Sequence, residues 1–415
     1  MWEKPWGYRE SFIIGSGLFI AGEALQMSIG GVRWSLLAFP SNAAVAVVYI
    51  ALLCLAHRLS GRAYILRWLS GTTAASASLV WTAALTVVMG LVRQRPAGSA
   101  AVDSFGFTRM VSAWPFVLLY LWMLTALGMT ILRTLTAMNL RKLPFLVAHI
   151  GLFVALGAAT LGSADMRRLR MTVSVGQTEW RATDATTGQL AELPLAIELK
   201  RFTIDEYPPK LMLIDNATGQ TLPKGQPASL LLEDDIDTGT LGDWEITVDE
   251  RLPMAAAMMS ADTMRFVEYG SEGATTAVHL KAFRPADGAS RAGWVSCGSF
   301  SFPYIPLKLD TLTSLVMPDL EPRRFASDVT VYTRKGERRD AVIEVNRPLD
   351  IEGWDIYQLS YDSERGRWSE YSVFELTRDP WLPVVYAGIV LLALGAMGLF
   401  MDFGKRKEKT TDDLE

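Results

Sequence analysis

The chain has 415 residues, 50% of them hydrophobic, and a formal net charge of −4. That balance gives no basic footprint for nucleic acid. Its 2 cysteines, Cys54 and Cys297, stand far apart, which excludes a zinc cluster, a CxxC redox pair and a CxxCH haem-attachment site.

The apolar residues are clustered. Runs of about 17–25 residues read as membrane-spanning helices. Such runs cover residues 12–31, 42–56, 72–92, 114–132, 143–161 and 381–400, the second being short. The opening MWEKPWGYRE leads into the first run with no small-residue cleavage site close behind, so an uncleaved anchor is expected. The expected organisation is a five-helix membrane region at 1–162, an extracytoplasmic β-rich domain at 163–379, a last span at 380–403 and a charged cytoplasmic tail at 404–415.

Lys and Arg beside span ends mark the cytoplasmic side. Lys4 and Arg9, then Arg58, Arg62 and Arg67, then Arg133, Arg141 and Lys142, and finally Lys405, Arg406, Lys407 and Lys409 all fall on one side if the spans alternate. The other side has Arg93, Arg95 and Arg109 in one loop and an awkward trio, Arg167, Arg168 and Arg170, after the fifth run. The balance puts both termini in the cytoplasm and residues 163–379 outside, in the periplasm or its equivalent.

The polar segment reads as mostly β and sandwich-like. RMTVSV, LAIELKRFTI, SLLLED, WEITVD, AVHLKAF, SDVTVYT, DAVIEVN and WDIYQLSY are short β-branched and aromatic runs, punctuated by turn residues as in NATGQ and RKGER. PMAAAMMSADTMRF reads as one short helix. No GxSxG, HExxH or phosphate-cradling glycine loop occurs, so no catalytic residue is assigned.

Ionisable residues inside spans usually mark function. Glu23 lies in the first run with Gln26 one turn on, and Gly15, Gly17 and Gly22 permit close helix packing beside it. It reads either as a bond to a neighbouring helix or as part of a polar path. His149, in LPFLVAHIGLFVALGAATLG, lies six residues into its run, roughly 9 Å deep at 1.5 Å per residue. An unsatisfied imidazole in hydrocarbon costs several kcal/mol, so His149 needs a hydrogen-bond partner or serves as a ligand. Imidazole is a common ligand of haem iron. His57, followed by Arg58, reads as interfacial, and His279 in AVHLKAF as a strand residue.

Three blocks resemble one family. They are FLVAHIGLFVALGAATLGSADMRRLRMTVSVGQTEW, then SDVTVYTRKGERRDAVIEVNRPLDIEGWDIYQLSYD with Asn346, Pro348, Leu349, Gly353, Tyr357 and Gln358, then RDPWLPVVYAGIVLLALG; KRFTIDEYPPKLMLID is a looser fourth. Together they resemble ResB (CcsB), a membrane protein of System II cytochrome c biogenesis. The resemblance implies a partner, CcsA (ResC), with which such a protein moves haem b outward and joins it to the CxxCH thiols of an apocytochrome c. It implies a haem axial ligand at His149, the second ligand coming from CcsA. It also implies an accessory role in a haem lyase and a pathway that includes thiol-reducing proteins. The tryptophan-rich motif of CcsA is absent, since the 13 tryptophans are dispersed in the sequence. The resemblance begins near residue 143, so Glu23 and His57 inherit no role from it. Two other readings stand beside it: a b-type cytochrome in quinone-linked electron transfer using His57 and His149, and a non-haem scaffold or transporter.

Overall fold

Each apolar run forms a helix, because only a helix satisfies its own backbone N–H and C=O groups in hydrocarbon without a sheet partner. The structure is a computed structural model and describes residues 3–96, 99–233, 237–260 and 263–412. Its helices are α1 (Tyr8–Ile29), α2 (Ser41–Leu59), α3 (Tyr64–Leu69), α4 (Thr72–Leu91), α5 (Trp114–Thr136), α6 (Leu143–Gly162) and α7 (Leu382–Asp412). Six of them are long and apolar enough to span a membrane, all but the short α3. The second run, short in the sequence, is a 19-residue helix. The backbone of the expected tail continues α7 to Asp412; the side chains there and residues 413–415 lie outside the described residues.

The helices form one compact unit, Met1–Arg168 with Asp184–Gly188 and Thr377–Glu415. Small residues set its closest contacts. Gly15 lies against the Trp81 indole, and Gly22 against the Pro115 backbone, whereas Gly17 faces open space. Tryptophans far apart in sequence meet here. Trp6 meets Trp68 edge-on at 5.5 Å between centroids, and Trp68 stacks on Trp122 at 5.9 Å. Trp81 joins the same apolar cluster.

The second unit, Leu169–Thr183 with Gln189–Leu376, is β. Its strands are β1 (Arg167–Ser174), β2 (Thr178–Asp184), β3 (Leu190–Glu206), β4 (Lys210–Asp215), β5 (Thr221–Leu222), β6 (Ser229–Leu231), β7 (Thr238–Leu241), β8 (Trp244–Ser260) and β9 (Thr263–Glu268). They continue as β10 (Thr275–Arg284), β11 (Ala289–Ser296), β12 (Leu307–Lys308), β13 (Thr313–Val316), β14 (Pro322–Thr333), β15 (Arg338–Glu344), β16 (Leu349–Ile351), β17 (Trp354–Tyr361) and β18 (Tyr371–Arg378).

An eight-stranded sheet runs β15-β14-β3-β2-β1-β18-β17-β16. Its two ends share one core, in which Ile343 from β15 joins Leu349, Trp354 and Ile356 from β16 and β17. The sheet therefore curls on itself, which hides apolar residues that alternate along each strand. Two five-stranded sheets, β11-β10-β8-β7 with β9 on β8 and β12-β13-β4-β5 with β6 on β4, share a second core. Trp244, Ile246 and Val248 on the first sheet meet Leu211, Leu213 and Leu315 on the second, as in a sandwich.

One expectation fails. PMAAAMMSADTMRF is no helix: it is the end of β8 and the start of β9, residues 261 and 262 lying outside the described residues. Ala and Met favour helices locally, but Ala255 pairs with Glu268 of β9 on one side and Thr275 of β10 on the other. Ladder pairing with β10 up to Ala255 and with β9 from Ala255 to Ser260 outweighs a propensity of tenths of a kcal/mol per residue. Pro253, which lacks an N–H, falls where the β8–β10 register shifts, the place a strand tolerates it.

The block around Asn346 is architectural. Glu352 and Gly353, both at positive φ (49° and 76°), form the two-residue turn that closes Ile351 on Trp354. Two left-handed residues define a type I′ turn, whose twist suits a hairpin. Asn346 makes the preceding turn at φ 61°. Gln358 is buried and accepts from Ser327 Oγ at 2.6 Å, while Ser327 also bonds Ser372. A left-handed residue other than Gly costs about 1–2 kcal/mol, less for Asn. Gly353→Val should therefore lower the thermal stability of the full chain, and Gly353→Asn should lower it less. Equal stability of both variants and wild type would remove the turn from this role.

Candidate functional site

The helix carrying His149 has two faces. On one, Ala148, Gly151 and Ala155 meet α7 backbone to backbone: a Cβ on Gly388 would stand 2.6 Å from Ala155 N, and one on Gly151 2.6 Å from Gly388 O. Small residues let two helices approach this closely, which is how helices associate where no hydrophobic force separates them from lipid. His149 is turned about 100° from Ala148 and shares its face with Phe153, Leu156 and Thr160, at spacings of four, three and four. Those residues meet α2 and α5. Phe153 lies parallel to Tyr49 at 6.4 Å, and the Tyr120 hydroxyl donates to Leu156 O at 3.1 Å and bonds Thr160 Oγ1 at 3.0 Å.

The His149 ring is half-buried. Its Nδ1 lies 2.8 Å from Phe145 O. A carbonyl only accepts, so Nδ1 carries the proton. The Phe145 ring covers the imidazole at 3.8 Å between centroids. In the neutral ring this leaves the lone pair on Nε2, which has no hydrogen bond among the described residues. An Nδ1–H bonded to a backbone carbonyl is the arrangement that fixes tautomer and orientation in metal-ligating histidines.

Beside this face a cavity of about 200 Å³ opens between α2, α5 and α6, lined by Ile50, Leu53, Cys54, Gly128, Ile150 and Phe153 among others. Its walls are apolar. It is smaller than the roughly 300–1,000 Å³ of sites that enclose a small molecule.

The other candidate residues are not gathered here. His57 ends α2, its Nε2 3.5 Å from Thr136 Oγ1 at the end of α5. His279 lies on β10 against Asp249 (3.2 Å) and edge-on to Trp294. Among the described residues no group of three or more His, Cys, Asp or Glu is placed to hold a metal ion. Glu23 has both carboxylate oxygens enclosed and no hydrogen-bond partner among the described residues. The interhelical bond on that face comes from Gln26, whose Oε1 accepts from Trp114 N at 3.2 Å.

The structure adds a residue the sequence did not single out. Asp165, three residues past α6, accepts from Phe39 N, Asn42 Nδ2 and Trp381 Nε1, each at 2.7 Å. Asn42 is fully buried and also donates to Leu161 O at 3.0 Å. One carboxylate thus ties the start of α2 and the residue before α7 to the end of α6. The only sequence signal is an acid just beyond a span. Asp379 caps α7 independently, accepting from Trp381 N and Leu382 N.

A six-span membrane protein with a β domain inserted before its last helix is the class this fold defines. The model of the ResB-like family matches residues 256–369. The match runs from within β8 to the turn before β18, takes in the block of Asn346 and Gly353, and leaves the helix of His149 outside. No curated protein matches the chain.

Burial tends to raise the pKa of Asp165, but its bonds from Phe39 N, Asn42 and Trp381 outweigh that and hold it below the ordinary aspartate value. A carboxylate with a depressed folded pKa stabilises the fold above its unfolded pKa of about 3.9 and loses that contribution as pH falls through the folded value. Asp165→Asn should cost on the order of 2 kcal/mol near pH 7. It should also flatten the acid limb of stability against pH below about 4. Thermal unfolding of both proteins between pH 3 and 7 checks this; parallel curves would refute it.

Proposed function

We propose that this chain is a haem-handling membrane subunit of cytochrome c assembly, working with a tryptophan-rich membrane partner of the CcsA (ResC) kind and delivering to an apocytochrome c. The observation that carries this reading is His149: a membrane-embedded imidazole with Nδ1 committed to Phe145 O and Nε2 left with a free lone pair. The ResB-like match in the β domain supports it.

Haem is cargo here, and its iron takes nitrogen ligands along its axis. His149 would supply one through Nε2. The Phe145 carbonyl fixes the ring and, by drawing on the Nδ1 proton, strengthens Nε2 as a donor. The apolar cavity lined by Ile150 and Phe153 of the same helix is too small to enclose a porphyrin, so the rest of the binding surface and the second ligand fall to the partner. His57 lies on another helix with its own contact to Thr136, which gives the two-histidine cytochrome reading no support.

His149→Ala should reduce haem recovered with the complex, and cytochrome c maturation, severalfold, while the complex still assembles. A small side chain fits a helix whose tight contact is made by other residues, Ala148, Gly151 and Ala155. His57→Ala and His279→Ala should change neither. The measurement is haem absorbance per purified complex. Undiminished haem in His149→Ala sinks the ligand assignment, and equal damage from His57→Ala favours the b-type cytochrome.

Sidedness belongs to the same proposal, both termini cytoplasmic and the β domain outside, on the Lys and Arg asymmetry. Reporter fusions after Arg62 and Lys142 should read cytoplasm, and fusions near Gly219 and Gly336 the opposite side. A cytoplasmic signal at Gly219 would overturn it.

A further inference from the structure

The end of the helix unit at which α6 finishes and α7 begins is a single hydrogen-bonded rim. Val32 N donates to Ser112 O at 2.7 Å, and Phe39 N and Asn42 reach Asp165. Three indoles stand on this rim, each with its N–H engaged: Trp34 with Val111 O (3.1 Å), Trp114 with Gly30 O (2.9 Å) and Trp381 with Asp165 Oδ2 (2.7 Å). Tryptophans gather where hydrocarbon meets headgroups. They mark the level of the membrane surface on the helix unit.

Arginines lie at that level. Arg33 precedes Trp34, Arg93 and Arg95 follow the last residue of α4 by two and four positions, and Arg167 follows Asp165 by two. All four thus lie within four residues of a helix end or of a rim anchor, close to the headgroup layer of roughly 5–7 Å on each side of the hydrocarbon. All four are exposed and make no ion pair among the described residues. Arg109, by contrast, turns to Ser99 O at 2.6 Å.

The acids of the rim are spoken for. Asp103 accepts from Phe107 N, Thr108 N and Thr108 Oγ1, Asp165 from its three donors, and Asp379 from the start of α7. Asp184 is held low first by the Thr187 N–H, with Arg167 adding a smaller pull. None of these carboxylates forms an ion pair with the four arginines among the described residues, so the guanidinium donors stay open to an external oxyanion.

We propose that Arg33, Arg93, Arg95 and Arg167 form a collar that binds the phosphates of anionic phospholipid, of the phosphatidylglycerol type, in the leaflet at this end of the helices. Guanidinium groups bind phosphate oxygens two at a time, and the indole belt beneath sets the depth at which the lipid phosphates arrive. The collar lies on the helix unit and does not depend on the haem reading.

The test uses the full chain in nanodiscs of phosphatidylcholine with a small fraction of phosphatidylglycerol, and counts the lipid retained after detergent extraction by native mass spectrometry. Wild type should retain phosphatidylglycerol over phosphatidylcholine. Each Arg→Gln substitution in the collar should weaken that preference about fivefold, and the fourfold variant should abolish it. Arg58→Gln with Arg62→Gln and Arg67→Gln, at the opposite helix ends, should leave retention by the collar in place. Inorganic phosphate at equal concentration should not displace the lipid, since it lacks the chains that hold it at the belt. Melting in pure phosphatidylcholine verifies that each variant is folded, and the pair Arg33→Gln with Arg95→Gln serves if the fourfold variant fails to accumulate. Equal retention of the two lipids by wild type, displacement by free phosphate, or a preference that survives in the fourfold or paired variant overturns the proposal.

Discussion

The contact between α6 and α7 is the constraint on which the helix unit turns. It is made of Ala148, Gly151 and Ala155 against Gly388 and Gly395, so the two backbones touch. In lipid, helices gain nothing by hiding apolar side chains from hydrocarbon, and close packing with interhelical hydrogen bonds takes over. These are the helices through which the chain enters and leaves its β segment. Holding them together costs loop-closure entropy, and the glycine and alanine contact supplies the compensating dispersion energy.

That contact also decides which way His149 faces. With the small-residue face used against α7, the imidazole is left on the face toward α2 and α5, beside Phe153 and the Tyr120–Thr160 bond. The Phe145 carbonyl one turn back takes its Nδ1 proton. A helix turn and a packing preference together present one unprotonated nitrogen in a setting where water is scarce. Asp165 then secures the same helix end to α2 and Trp381, so the front helices are bound to the pair on which the site is built.

The β unit follows different rules. Its curled eight-stranded sheet hides both ends of one layer in one core, and its sandwich hides two faces against each other. The stretch that matches the ResB-like family lies wholly within this β segment. The residues singled out there by resemblance are mostly turn and core positions: Asn346 and Gly353 at positive φ, Leu349 in the core, Gln358 in a buried hydrogen bond to Ser327.

The sequence alone determined the elements whose cause is local. Six spans were legible because a helix in hydrocarbon needs only length and apolarity, and WDIYQLSY was legible as a strand because its side chains alternate. His149 stood out because one titratable residue in an apolar run has no local explanation. Tertiary structure decided whatever depended on distant partners. Residues 253–260 became strand because β8 pairs with β10 as far as Ala255 and with β9 from Ala255 on, a pairing no window of that length contains. Trp6, Trp68, Trp81 and Trp122, dispersed along the chain, became one cluster only when α1, α3, α4 and α5 packed. Asp165 was one acid among many until Phe39, Asn42 and Trp381, 126, 123 and 216 positions away, brought their N–H groups to it. Propensity and hydropathy act over a few residues, whereas hydrogen bonds and close packing act over a few ångströms, and only the folded chain brings those ångströms between residues so far apart in sequence.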